Sequence, residues 1–147
     1  MLHLIKTIAD TYFKFLHEDP VRPHIPHIDR IGDNKDIFVM RDSEDTVTAI
    51  TCVSYQNAIP SSETELFSVS EEPDTAIFYT IWSYRQGAGR QLIFESVKYI
   101  KENKPNINRF ITLSPKTEMA KKFHLKNGAI VFRENGETVN YEYKSET

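Results

Sequence analysis

One histidine, His124, lies in the segment FHLKNGA, Phe123 to Ala129, near the end of a predicted helix. An imidazole has an ordinary pKa close to neutrality, so it can exchange protons at physiological pH. Two hydroxyl side chains, Thr112 and Ser114, precede it in the segment TLSP and stand two residues apart on a predicted strand. Side chains at that spacing face the same side of a sheet. These residue types suit acid–base catalysis beside a donor that stabilises an oxyanion.

Each of these residues also has a structural interpretation. A histidine in the last turn of a helix interacts favourably with the helix dipole. Ser114, directly before Pro115, is typical of a helix N-cap. Tyr143, on the last predicted strand, suits packing in a sheet as well as it suits a catalytic site.

A second candidate region is the glycine-containing turn SYRQGAGR, which follows the predicted strand Thr75 to Trp82. Gly87 and Gly89 allow close approach of a ligand to the backbone, and the N–H groups at a helix start suit a diphosphate. Arg85 and Arg90 add positive charge. The turn lacks the Gly-Lys-Ser/Thr ending of a phosphate-binding P-loop and the third glycine of a dinucleotide-binding turn.

Hydrophobic periodicity and turn residues predict the elements that position these side chains. Apolar residues at helical spacing predict a first helix across residues 2–16, and three prolines make residues 20–32 irregular. Glu63 to Val69 fits a short helix or a strand. Further strands are predicted at 36–42, 46–55, 75–82, 109–114, 129–134 and 138–144, and further helices from Gly87 and at 118–127. This order predicts an α/β fold with a mixed central sheet flanked by helices, in a single domain of residues 1–147.

Composition excludes several classes of protein. The net charge of −3 argues against binding to nucleic acid through phosphate contacts, and no apolar run is long enough to span a membrane. The lone Cys52 rules out a disulfide within the chain and favours a cytoplasmic protein. His24 and His27 lack further ligands nearby, so no metal site is predicted.

The strand, glycine turn and helix resemble the GNAT acyltransferases, whose motif is Arg/Gln-x-x-Gly-x-Gly/Ala. Tyr84 stands at the first position, Gly87 and Gly89 at the glycines, and Arg90 directly after them. Tyr84 departs from the motif, and Arg85 is a candidate to replace the missing side chain. The resemblance implies a coenzyme A thioester held by Ile81, Trp82, Tyr84, Arg85, Gln86, Gly87, Ala88, Gly89 and Arg90.

Four segments, AIFYTIW, FITLSP, FHLKNGA and NYEY, together resemble the catalytic domain of malonyl-CoA decarboxylase between Ala76 and Tyr143. That resemblance implies a catalytic histidine at His124, an active hydroxyl at Thr112 or Ser114, and Tyr143 near the site. The segment KTEM after Ser-Pro departs from the Ile-Pro-Gly-Phe of that family.

The resemblances imply three possible functions. The first is decarboxylation of a malonyl thioester to an acetyl thioester, with possible acetyl transfer to an amine or a carrier-protein thiol. The second is N-acetyl transfer from acetyl-CoA to an amine. The third is a non-catalytic acyl-CoA-binding module. A homodimer is compatible with each of them.

Overall fold

The structure, a computed structural model, describes residues 1–144. Its strands are β1 Leu2–Ile5, β2 Lys35–Arg41, β3 Val47–Gln56, β4 Thr75–Ser83, β5 Arg109–Thr112, β6 Ser114–Pro115, β7 Ile130–Glu134 and β8 Thr138–Tyr143. Its helices are α1 Ala88–Asn103 and α2 Glu118–Lys126, with short 3₁₀ helices at Phe13–Glu18, His27–Arg30 and Glu63–Glu65. Within this described part, no helix combines the length and the apolar character needed to cross a bilayer.

The strands form one mixed sheet in the order β1-β2-β3-β4-β5-β8-β6, with β7 paired to β8. β4 and β5 are parallel, and the other strand pairs are antiparallel. A parallel pair needs a crossover connection, which α1 supplies between β4 and β5. The predicted α/β fold with a mixed sheet is confirmed.

β4 lies in the middle of the sheet and is buried on both faces, as its continuous apolar run predicts. Ala76 and Phe78 pack in the hydrophobic layer that α1 covers. Ile77 and Tyr79 pack in the opposite layer, beneath the segment that contains the first two 3₁₀ helices. Both layers therefore fix the position of this strand.

The prediction of a helix across residues 2–16 is wrong. The first residues form β1, which pairs antiparallel with β2 and satisfies its backbone groups there. The Asp10 carboxylate then accepts a hydrogen bond from the N–H of Tyr12 at 2.8 Å, and such a side-chain turn competes with helix formation. Only the 3₁₀ helix Phe13–Glu18 follows, and Ile8 stays exposed.

β4 and β5 separate part-way along their length. Their pairing ends where Phe78 lies opposite Thr112, yet β4 continues to Ser83. On its other edge β4 has a bulge against β3, and Tyr79 is the extra residue. A bulge bends a strand and increases its twist. The two parallel strands therefore diverge, and a cleft opens between them.

The start of α2 also differs from one of the two interpretations of Ser114. Thr117 is the N-cap, and its hydroxyl accepts a hydrogen bond from the N–H of Ala120 at 3.2 Å. Ser114 lies instead in β6, opposite Val139 of β8. α2 ends before Gly128, whose φ of +97° suits glycine, as the Asn-Gly sequence predicts.

Candidate active site

The cleft between β4 and β5 has a volume of about 350 Å³ and is lined mainly by apolar side chains. The C-terminal half of β4 forms one side of the cleft, and α2 forms the other. Within residues 1–144, its lining includes no lysine, arginine, aspartate or glutamate. The sequence-predicted residues that line it are Ile81, Trp82, Gly89, Ser114 and His124.

His124 is held rigidly at one wall of this cleft. Its Nδ1 lies 2.6 Å from the hydroxyl of Tyr143, and its ring stacks on Tyr141 at a centroid distance of 5.0 Å. The residue is 3% exposed. Burial disfavours the charged form of each group, so it lowers the pKa of His124 to about 4 and raises the pKa of Tyr143. Both residues are therefore neutral at pH 7.

The pairing also indicates which imidazole nitrogen has the proton. The Tyr143 hydroxyl is buried beside His124, and its proton needs an acceptor there. If Tyr143 donates to Nδ1, the neutral ring holds its own proton on Nε2. This arrangement makes the His124 Nε2–H a donor available to the cleft.

The two candidate hydroxyls are linked to each other. The hydroxyl of Ser114 donates to the hydroxyl oxygen of Thr112 at 2.8 Å. The same Thr112 oxygen accepts the backbone N–H of Tyr141 at 3.0 Å. Ser114 lines the cleft, whereas Thr112 is buried behind it. The structure thus brings Ser114 and His124 to one cleft and places Thr112 as the partner of Ser114.

The glycine turn lies at one end of the cleft and leads into α1. Gly87 adopts a φ of +84°, a left-handed conformation that favours glycine. In residues 1–144, the N–H groups of Gly89 and Arg90 have no backbone acceptor, because they occupy the first turn of α1. Such N–H groups, at the positive end of a helix dipole, suit an anion.

Gly89 meets a second requirement, which concerns packing. A Cβ atom at this position would lie 3.0 Å from two ring carbons of Phe123 in α2. Contacts that short force a neighbour to move. The absence of a side chain at Gly89 therefore lets the start of α1 and the aromatic wall of the cleft pack together.

The other predicted cofactor residues have different neighbours. Arg85, Gln86, Gly87 and Ala88 line an open hollow outside the cleft. Arg85 forms an ion pair with Asp42 at 2.9 Å. Arg90 donates from Nη1 to the side-chain oxygen of Asn127 at 3.2 Å.

The hydroxyl of Tyr84 has both of its partners outside the glycine turn. Its hydroxyl donates to Glu18 and accepts from the indole N–H of Trp82 at 3.0 Å. Burial and the neighbouring carboxylate of Glu18 raise the pKa of Tyr84 to about 12. In this structure the hydroxyl of Tyr84 is thus occupied by protein partners.

Sequence reasoning missed one part of the cleft lining, which comes from the proline-rich segment. Pro20 and Val21, from the proline-rich segment, line the cleft, and the neighbouring Arg22 is buried. Prolines predict irregular backbone but not where that backbone packs. No local signal marked Arg22, because an arginine in a proline-rich segment is usually a surface residue.

In residues 1–144, no three histidine, cysteine, aspartate or glutamate side chains are grouped so as to hold a metal ion. His24 is bonded to Glu63, and His27 packs edge-on against the ring of His17 at a centroid distance of 4.6 Å.

Comparison with solved structures places this architecture among known folds. Malonyl-CoA decarboxylase from Agrobacterium vitis matches with a TM-score of 0.79 and 17% identity, over 98% of this chain and 60% of that one. The enzyme from Rhodopseudomonas palustris matches with a TM-score of 0.74 and 18% identity, over 98% and 59% of the two chains. The GNAT domain of S. lividans PAT matches with a TM-score of 0.68 and 13% identity, over 97% and 88%.

No protein-family profile and no curated protein sequence matches the chain. The chain spans about three fifths of the length of the decarboxylase structures it resembles. The structural matches establish that it has the GNAT fold and that this fold is related to that of the malonyl-CoA decarboxylases.

Proposed function

We propose that this protein binds an acyl-coenzyme A and decarboxylates a malonyl thioester to an acetyl thioester. The observation that supports this most directly is the neutral His124, which is paired with Tyr143 and lines an uncharged cleft together with Ser114. The structural likeness to malonyl-CoA decarboxylases and to a GNAT domain supports acyl-CoA as the substrate class.

The cleft and the glycine turn suit different parts of coenzyme A. The free N–H groups of Gly89 and Arg90 suit the diphosphate. The edge of β4 beyond Tyr79 is not paired with β5, so its backbone groups are available to the amides of the pantetheine arm. The thioester then lies deeper in the cleft, toward Ser114 and His124.

The proposed reaction uses the two side chains for different steps. The bond between the malonyl carboxylate carbon and the α-carbon breaks, CO2 leaves, and the electron pair passes into the thioester as an enolate. The hydroxyl of Ser114 rotates from Thr112 to the enolate oxygen and stabilises its charge. His124 delivers a proton from Nε2 to the α-carbon while its Nδ1 takes the hydroxyl proton of Tyr143, and solvent then returns one proton to the pair.

The lack of charged side chains in the cleft favours decarboxylation over N-acetyl transfer. A carboxylate without a cationic partner is unstable in an apolar site, whereas the enolate charge forms next to hydroxyl and N–H donors. An ammonium acceptor would need a base. His124, with its pKa lowered to about 4, is a weak base, and the cleft lining in residues 1–144 includes no carboxylate.

Mass spectrometry of coenzyme A esters tests the proposal. Malonyl-CoA is incubated with the wild type, with His124→Gln and with Ser114→Ala, beside Thr112→Val and a sample without protein. We expect acetyl-CoA and CO2 from the wild type, and a loss of about 100-fold or more in the His124 and Ser114 variants. Thr112→Val should lose less, because the Thr112 hydroxyl contacts Ser114 and the N–H of Tyr141 but does not line the cleft.

Other outcomes have definite meanings. Malonyl-CoA that binds but stays intact would refute the decarboxylase proposal. Acetyl transfer from acetyl-CoA to an amine or a carrier-protein thiol would then identify a transferase. Binding of coenzyme A without either reaction would identify a binding module.

A further inference from the structure

Arg22 occupies the point at which β4 and β5 separate. Its Nε donates to the backbone carbonyl of Tyr79 in β4 at 3.1 Å. Its Nη2 donates to the carbonyl of Leu113, just beyond β5, at 3.0 Å. Its Nη1 donates to Glu63 at 2.9 Å, and the side chain is 8% exposed. One guanidinium therefore spans both strands next to the cleft.

The backbone of Arg22 is fixed as firmly as its side chain. The Asp19 carboxylate accepts the N–H of Arg22 at 2.9 Å and the hydroxyl of Thr80 at 2.8 Å. Arg30 donates to the carbonyl of Arg22 at 2.7 Å and to Asp19 at 2.8 Å. Asp19 and Arg30 are both fully buried at their side chains. This buried network anchors the segment from which Arg22 reaches the two strands.

Two adjacent parallel strands normally satisfy their facing carbonyl groups with each other's N–H groups. Here the guanidinium supplies those donors to Tyr79 and Leu113, and its planar set of N–H groups can serve two acceptors at once. The strands can thus stay apart without leaving buried carbonyl groups unpaired, which would cost free energy.

We propose that Arg22 is a positioning residue that keeps β4 and β5 apart and so maintains the cleft for the acyl-pantetheine arm. The arm's identity rests on the proposed function above, whereas the effect of Arg22 on the strands does not. Without this guanidinium, the two strand edges lose their shared donor and close toward each other. The glycine turn, at the end of the cleft, keeps its own geometry.

A measurement without ligand tests this first. The N–H of Tyr84 donates to Thr48 of β3, so strand alternation directs the N–H groups of Ile81 and Ser83 toward the cleft. Hydrogen exchange of these two amides is compared in the wild type, Arg22→Met and the control Glu63→Gln. In Arg22→Met we expect exchange to slow about tenfold or more as the strands pair. Unchanged exchange in a folded variant would overturn the proposal.

Ligand binding gives the second test. Affinities for coenzyme A and for adenosine 3′,5′-bisphosphate, which lacks the pantetheine arm, are measured by calorimetry. Arg22→Met should weaken coenzyme A binding about tenfold and leave adenosine bisphosphate within about twofold. Glu63→Gln, which retains both strand contacts, should behave as wild type. Equal loss for both ligands would indicate general damage and contradict the proposal.

Arg22→Lys covers the case in which Arg22→Met does not fold. A lysine keeps the charge but lacks the planar fork, so it cannot hold both carbonyls in the same way. We expect it to weaken coenzyme A binding selectively, and wild-type affinity in folded Arg22→Lys would refute the proposal. A wild type that does not bind coenzyme A would defeat the proposed function, while amide exchange would still test Arg22.

Discussion

Acidification should lower the stability of the folded protein through protonation of His124, and a single substitution can isolate this effect. Burial lowers the pKa of His124 to about 4, against an ordinary histidine value of about 6.5. Because the unfolded chain then takes up this proton first, the contribution of His124 to stability is intact above pH 6.5. It is lost progressively as the pH falls from 6.5 toward 4.

The size of the effect follows from the shift. Between pH 7.5 and pH 4.5, linkage predicts a loss of about 2.5 kcal/mol from this one group. Other ionisable groups also contribute to the pH dependence of stability, so measurements on the wild type alone do not isolate the contribution of His124. His124→Gln removes the titration and leaves the other groups in place. The informative quantity is therefore the difference in unfolding free energy between the two proteins.

Urea unfolding followed by fluorescence of the single tryptophan, Trp82, measures this difference at pH 7.5, 6.5, 5.5 and 4.5. The unfolding free energy of the wild type minus that of His124→Gln should fall by about 2.5 kcal/mol from pH 7.5 to pH 4.5. NMR titration of the His124 imidazole should place its pKa well below the ordinary histidine value of about 6.5. A constant difference, or an NMR pKa near 6.5 for His124, would refute the assignment of a buried neutral imidazole.

Three further substitutions test other parts of the structure. Arg30→Met leaves the buried carboxylate of Asp19 without its partner and should cost about 3–5 kcal/mol in urea unfolding, whereas Lys116→Ala, in an exposed ion pair, should cost less than about 1 kcal/mol. Similar costs for the two would contradict the role given to the buried pair. Gly87→Ala forces a φ of +84° on a residue with a side chain, so we expect a loss of about 1 kcal/mol by thermal unfolding and weaker coenzyme A binding. A stabilised variant would show that the turn relaxes. Thr117→Ala removes the N-cap of α2 and should lower the free energy of unfolding by about 1 kcal/mol. The same change at a surface threonine that does not cap a helix should have little effect.

The elements next to the glycine turn could be predicted from sequence because local and long-range signals agree there. β4 is rich in apolar, aromatic and β-branched residues, Gly87 marks the end of the turn, and α1 has apolar residues at helical spacing. The first sixteen residues carry a spacing that suits either a helix or a strand. Pairing with β2 decides the outcome, and that pairing is not visible in the segment itself.

In the candidate site, too, some residues could be predicted from sequence and others could not. His124 and Ser114 could be selected because their residue types suit chemistry and a family resemblance marks their segments. Arg22 could not, because an arginine in a proline-rich segment looks like a surface residue. Its burial depends on Asp19 and on carbonyl groups 57 and 91 residues away along the chain. Such a position becomes recognisable only when the strands are assembled.

The contact between Gly89 and Phe123 has a consequence for sequence variation. A methyl group at position 89 would overlap the ring at position 123, so each position limits what the other can accept. An alanine at 89 should be tolerated where 123 holds a smaller side chain. Substitutions at these two sites are therefore expected to occur together in related sequences, and a double-mutant cycle should give a non-zero interaction energy.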